Sequence, residues 1–309
     1  MYRQLMVASI CIFSLFVFVN AQDQTAISFS IPGPNELSLI KMKGDPGITY
    51  VGSIVEHNQK ELTILTDVGT KNTVSLSNVQ DIRVIPKSQI HDGEYWYPNP
   101  NEYKYLLTQS GFNLKKGEIS YQNTYLLFHT FNWGVTDNLS IGIGFEVFGF
   151  LFSRNKNNIL SFAPIYVFSP KYSIQVSENV RVGAQILYGQ IFDVFNTMAI
   201  GYGLVTYGNP EHNATLGLGY GYFDYGYPGR NTKPVITLSG TTRITKHVSL
   251  ITENLYYSNI PYYKASEIFS YGIRIIWETM SLDIAMLNNR EIFGTIPIGF
   301  PFIDLAIKY

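Results

Sequence analysis

The side chains of this chain that could do chemistry are few and evenly matched in sign. Taking alternate residues along the strands described below as inward-facing, the inward charges are Glu146, Glu253, Asp283 and Asp304 with Arg181, Arg243, Arg274 and Lys308. Such groups can line a pore in which a basic ring and acidic groups orient a polar solute, or they can pair across a filled lumen and stabilise it. Equal numbers of each sign favour pairing and argue against strong ion selectivity. The four cations lie close to tight turns or to the C-terminus, so they gather at one rim. Glu146 and Glu253 sit further up the wall, and the strand around Glu253 alternates poorly.

His129 invites a second chemistry, that of an outer-membrane lipid hydrolase in which a wall histidine is the base for a serine such as Ser153, with Arg154 beside it. The registry is poor, because His129 precedes its tight turn by fewer residues than Ser153 follows it. No His-x-Ser pair or nearby carboxylate completes the set. His57, His91, His212 and His247 are scattered through turns and spacers without metal-ligand spacing. The expectation is therefore a protein without catalytic residues, metal or cofactor.

These side chains need elements to hold them, and composition says which. Only 15% of the 309 residues are charged, against about 25% in ordinary soluble domains, while aromatics reach 15% and glycine numbers 26. A mean hydropathy of +0.04 excludes a bundle of membrane helices, and a net charge of −1 gives no basic footprint for nucleic acid. Residues 1–21 have the form of a secretory signal: Arg3, an apolar run over residues 5–19, then Val19-Asn20-Ala21 before Gln22. Cys11 lies inside that run and is flanked by large apolar residues, which excludes a lipoprotein signal and leaves the mature chain without cysteine.

Residues 22–36 form an N-terminal segment. Residues 37–87 hold five short alternating runs separated by turn chemistry such as Asp45-Pro46-Gly47 and His57-Asn58-Gln59-Lys60. This is the strand spacing of a small SH3-like or Sm-like β module, which the segment resembles. Its balanced charges argue against RNA binding. A spacer over residues 88–101 contains Tyr97-Pro98-Asn99-Pro100, which cannot join a regular ladder.

From there on a polar turn followed by an alternating apolar strand recurs. Marked by Asn138, Asn179, Asn213, His247 and Met280, it repeats at intervals of 41, 34, 34 and 33 residues. That period suits two strands, one tight turn and one longer loop. Five hairpins, a first strand over residues 103–109 and a last over 301–309 predict twelve strands, or ten if the weak first strand is lost. Strand 139–152 sets Leu139, Ile141, Ile143 and Phe145 against Ser140, Gly142, Gly144 and Glu146. A continuous apolar face opposite one of glycine and serine fits hydrocarbon outside and a crowded lumen inside. The fold class expected is all-β: a transmembrane antiparallel up-and-down barrel preceded by a small periplasmic β module.

Residues 102–309 resemble the outer-membrane β-barrel proteins of Bacteroidota. The resemblance is carried by Leu114-Lys115-Lys116-Gly117-Glu118 leading to Tyr121-Gln122-Asn123, by the turn Gly134-Val135-Thr136-Asp137-Asn138-Leu139-Ser140, and by the terminal Tyr309. It implies an outer-membrane location and a porin-like fold in contact with outer-membrane lipid. It also implies a C-terminal signal, Tyr309, read by the barrel-assembly machinery, and it implies no particular activity. The function expected is a narrow channel or small-solute-binding barrel. The alternatives are an anchor whose periplasmic module docks a protein partner, and the lipid-modifying enzyme built on His129. No plug domain is legible ahead of the barrel.

Overall fold

The computed structural model describes residues 31–309 except 34–35, 45–48, 67, 93, 148–164, 192–194, 225–229 and 258–266. The signal over residues 1–21, Ser153 and Arg154 therefore lie outside the described residues. Two compact units divide the chain, Met1–Tyr95 and Trp96–Tyr309.

The first unit holds β1 (Leu37–Met42), β2 (Thr49–His57), β3 (Glu61–Thr66), β4 (Lys71–Ser75) and β5 (Val79–Val84), hydrogen-bonded in the order β4-β3-β2-β1-β5. Alternation fixes the register: Ile40, Ile54, Leu62, Ile64 and Val79 point to one side and form its core. A two-residue ladder, β6 (Ile90–His91) with β7 (Glu94–Tyr95), ends the unit.

The second unit is a closed antiparallel barrel of twelve strands. They are β8 (Ile119–Thr124), β9 (Phe128–Gly134), β10 (Leu139–Glu146), β11 (Tyr166–Ser177), β12 (Val180–Ile191), β13 (Phe195–Gly208), β14 (His212–Asp224), β15 (Arg230–Thr245), β16 (Val248–Tyr257), β17 (Glu267–Ile276), β18 (Met280–Asn288) and β19 (Phe300–Lys308). Each strand pairs with its chain neighbours. The seam is closed by β19 against β8, with Asp304 opposite Thr124 and Lys308 opposite Ser120. Closure leaves no unpaired sheet edge.

The expected strand number is right, but two strands differ from expectation. Residues 103–109 are not a wall strand. They make only an isolated bridge, Lys104 to Gln109, and Tyr103, Lys104, Tyr105 and Leu106 are all buried. A wall strand has one face outside the barrel, and four consecutive buried side chains leave none. The missing strand comes instead from residues 118–131, which the sequence presents as one strand carrying His129 and which are two, β8 and the start of β9. They reverse at Tyr125 and Leu126, whose φ values of 56° and 64° lie in the left-handed region. Bulky residues rarely adopt it. Here the turn is held from outside itself: Tyr125 donates its N–H to the Ile303 carbonyl (3.1 Å) and its O–H to the Pro301 carbonyl (2.6 Å).

The two faces of the wall separate as the alternation requires. On β14, Leu216, Leu218 and Tyr220 are exposed, whereas Asn213, Thr215 and Gly217 are buried. Exposed apolar side chains continue around the outside through Ile143, Phe168, Ile186, Val205, Leu238 and Ile273. So continuous an apolar girdle is far larger than the patches soluble monomers expose.

Candidate functional site: a divided lumen

The lumen contains a stretch of the chain itself. Residues 96–118 enter at the tight-turn end, rise inside the barrel to residues 106–108, and return to the tight turns. At the entrance Arg243 donates to the Tyr97 carbonyl (2.8 Å) and pairs with Glu211 (2.9 Å), its guanidinium lying over Trp96 and Tyr97. On the way out, the Lys116 N–H donates to Asp137 (2.9 Å) and the Gly117 N–H to the Gly134 carbonyl (2.8 Å). The loop is cross-tied by the Ser110 N–H to the Tyr103 carbonyl and the Tyr105 N–H to the Thr108 carbonyl, each 2.9 Å.

Its polar backbone could not stay dry without partners, and charged wall residues supply them. Arg274 holds Asp283 with two donors, Nε to Oδ1 (2.6 Å) and Nη2 to Oδ2 (2.8 Å). The rest of its fork reaches the carbonyls of Asn101, Lys104 and Tyr105. Lys104 sets its ammonium between Asp283 (3.0 Å) and Asp304 (2.5 Å). Burial by itself would push that ammonium down, but the two carboxylates outweigh it and hold Lys104 above the ordinary lysine range. Glu253 accepts the N–H groups of Leu106 and Leu107, both at 2.8 Å. Lys171 donates to the carbonyls of Ser110 (2.9 Å) and Phe112 (2.5 Å), while Thr206 and Ser173 take the N–H and carbonyl of Gly111. A side chain at Gly111 would meet Thr206 Oγ1 at 2.8 Å, so the loop lies against the wall only because this residue is glycine.

Of the residues the sequence singled out, Arg243, Glu253, Arg274, Asp283 and Asp304 are thus buried in the lumen and brought together around the internal loop. Arg181 lies 4.8 Å above the Phe112 ring and bonds Gln175. Lys308 pairs with Glu118 (3.1 Å) at the rim. Glu146 shares the inward parity of Gly142 and Gly144 but stands at the loop end of β10, away from the cluster. Tyr309 is exposed at the C-terminus, its backbone paired with Ile119 in both directions. His129 sits on the outward parity with Phe131 and Trp133, bonded to the Tyr121 hydroxyl (2.7 Å) and stacked on Phe145. It faces away from the lumen, so it cannot serve chemistry inside the barrel.

Sequence reasoning missed Lys104, Lys171 and the loop that carries Lys104. Lys171 was within reach, because it alternates with Tyr166, Phe168 and Tyr172, which are all exposed, and shares parity with buried Ser169 and Ser173.

Above the loop lies a cavity of about 680 Å³, within the roughly 300–1,000 Å³ typical of small-molecule sites. Its floor is the loop itself, at Leu106, Leu107, Thr108 and Gln109. Its walls change character with height. Going toward the loop ends, β12 presents Gln185 then Leu187, and β13 presents Tyr202, Ile200 and Met198. On β15 Thr237 gives way to Val235, and on β11 Ser169 gives way to Val167. Phe223, Leu255 and Ile268 continue the apolar wall, Leu287 and Phe302 pack beside Leu106 of the floor, and β8 and β9 contribute the polar Gln122, Thr124, Thr130 and Asn132. Near the base, Tyr202 donates its hydroxyl to the Gln185 amide oxygen. The ring of Tyr202 fits there because residue 217, diagonally across on β14, is glycine: a Cβ at that position would come within 3.2 Å of the ring and 2.4 Å of Thr237 Oγ1.

No protein-family model matches the chain, and no curated protein matches it in sequence. Solved structures that resemble it include a NanC porin, at 9% identity and a TM-score of 0.38 over 62% of this chain and 97% of that one. Another is a loop L8 deletion mutant of OmpT, an outer membrane protein of Vibrio cholerae, at 9% identity and 0.35 over 89% and 96%. A third is Salmonella typhi OmpF in complex with daunomycin, at 7% identity and 0.31 over 88% and 94%. At these scores the likenesses carry no argument about activity. The barrel assignment rests on the twelve ladders themselves.

Proposed function

We propose that this protein is an exported outer-membrane barrel that binds a small, largely apolar molecule in the loop-side half of its lumen, with the tight-turn half stopped by its own residues 96–118. The membrane location is supported by the apolar outer girdle around a closed barrel, since a closed ladder satisfies every backbone group that hydrocarbon cannot. Residues 1–21 are the export signal, Tyr309 is the residue read by the barrel-assembly machinery, and residues 37–87 form a periplasmic module available to a protein partner. The role is passive, without catalysis.

The observation that carries the reading is the apolar upper wall above a hydrogen-bonded floor. Water-filled barrels carry polar interiors. Here Leu187, Met198, Ile200, Phe223 and Leu255 face inward, so the upper lumen has hydrocarbon-like chemistry on both sides of its wall. Between the two roles expected from the sequence, this favours the binding barrel over the narrow channel.

The test is photolabelling of the protein in lipid nanodiscs with a diazirine-bearing alkane, followed by mapping of the adducts. Adducts on Leu187, Met198, Ile200 or Phe223 are expected in addition to those on the outer wall. Ile200→Trp combined with Leu187→Trp should abolish the inner set and leave the outer one. Labelling confined to the outer wall of the unaltered protein would contradict the reading.

A further inference from the structure

The base of the cavity specifies more than an apolar occupant. Apart from Lys104, its polar groups are neutral. Gln185 spends its amide oxygen on Tyr202 and keeps its N–H groups for the cavity. Gln109, on the floor, has an amide oxygen that is buried with no hydrogen-bond partner. That oxygen is closed off from the cavity, so the polar partner offered at the base is the Gln185 amide. Asn132, Thr130 and Gln122 add further neutral donors and acceptors to the lining.

Lys104 is the one charged residue lining the cavity among the described residues, and its charge is already spent. Its ammonium is held by Asp283 and Asp304, and Arg274 is bound to Asp283. Two cations and two carboxylates cancel, and Glu253 lies just below the floor, bonded to it. An incoming carboxylate or phosphate would meet no cation with donors to spare, because Lys171, beside Gln185 in the ladder, gives its ammonium to the carbonyls of Tyr103, Ser110 and Phe112, and an anion left unpaired there is penalised heavily. A cationic head would compete with Lys104 for the same pair. Size narrows the class again. At about 30 Å³ per water-sized group, the cavity holds on the order of twenty heavy atoms, far fewer than a two-chain phospholipid carries.

We infer that the cavity takes an uncharged single-chain amphiphile, with a hydroxyl or amide head at Gln185 and Tyr202 and its hydrocarbon chain against Leu187, Ile200, Phe223 and Leu255. This rests on the apolar-receptacle reading above and adds the polarity and orientation of the occupant. The head accepts from the Gln185 amide, and the chain points toward the loop ends.

The experiment compares three photoprobes with the same diazirine-bearing chain in nanodiscs at equal bilayer content and pH 8: a glyceryl monoester, the free fatty acid and the alkane. The monoester should label the inner wall at least about tenfold more strongly than the ionised acid, as exclusion of an unpaired buried charge requires. It should also exceed the alkane, and Gln185→Leu should remove that excess while alkane labelling persists. Equal or stronger inner-wall labelling by the acid would overturn the inference and leave the receptacle reading intact. So would a monoester advantage over the alkane that is absent, or that survives Gln185→Leu. Failure of all three probes, the alkane included, to label the inner wall would defeat the receptacle reading itself.

Discussion

The two halves of the lumen are built from the same twelve strands, yet they solve opposite problems. In the tight-turn half, inward positions carry Arg243, Arg274, Asp283, Asp304 and Lys171, and each is matched to an opposite charge or to a backbone group of the internal loop. In the loop-side half, the same parity carries Leu187, Ile200, Phe223 and Leu255 around empty space. The first half is a polar core folded around a piece of chain, and the second is an apolar cup. A β-barrel can thus be stoppered and receptive at once, because the period-two alternation fixes which way a residue points but not what its chemistry is along the strand.

The widest contrast between the halves comes from altering a partner of the buried charges. Lys104→Met leaves Asp283 and Asp304 facing each other with only Arg274 as countercharge, a loss of about 3–5 kcal/mol for breaking a buried pair. The expected outcome is a large drop in the heat or denaturant midpoint of the folded barrel, read by gel mobility. A drop no larger than that of a surface substitution would show that the loop is not anchored by this cluster.

A charge placed on the outer wall should cost somewhat less. Leu218→Arg puts a guanidinium in the middle of the exposed apolar girdle, where about 2–4 kcal/mol is lost if the medium is hydrocarbon. Unchanged membrane insertion and stability would contradict lipid contact there. In the cup, by contrast, Ile200→Trp fills space and breaks no charge pair. Stability should shift by no more than the about 1–3 kcal/mol of overpacking, while inner-wall photolabelling disappears.

Titration should separate the halves most gently. Because Lys104 is held above the ordinary lysine range, its contribution is fully present below the unfolded-state value near 10.4 and is lost only as pH rises through the higher folded value. Protease protection of residues 96–118 should therefore fall as pH rises beyond about 10. Lys104→Met should abolish that alkaline step.

Much of the frame was readable in the chain. The repeat set the hairpins, alternation set the outer wall, and inward parity found Arg243, Glu253, Arg274, Asp283 and Asp304, which gather in the lumen. The internal loop was not readable. Tyr103, Tyr105 and Leu106 look like a short strand in sequence, and only the positions of their partners, more than a hundred residues away on β14, β16, β18 and β19, show otherwise. The turn at Tyr125-Leu126 was equally hidden, because it lacks glycine, asparagine or aspartate and is imposed by β19. The cup left a weaker trace: near the loop ends inward residues such as Leu187 stand between outward ones as apolar as Ile186 and Tyr188, so alternation fades where the wall is apolar on both faces.

The central claim is that residues 96–118 close the lumen, and planar-bilayer recording of the purified full-length protein tests it most directly. The unaltered protein should insert without ohmic current, and deletion of residues 101–113 should give stepwise conductance. A steady open-pore current from the unaltered protein would contradict the account.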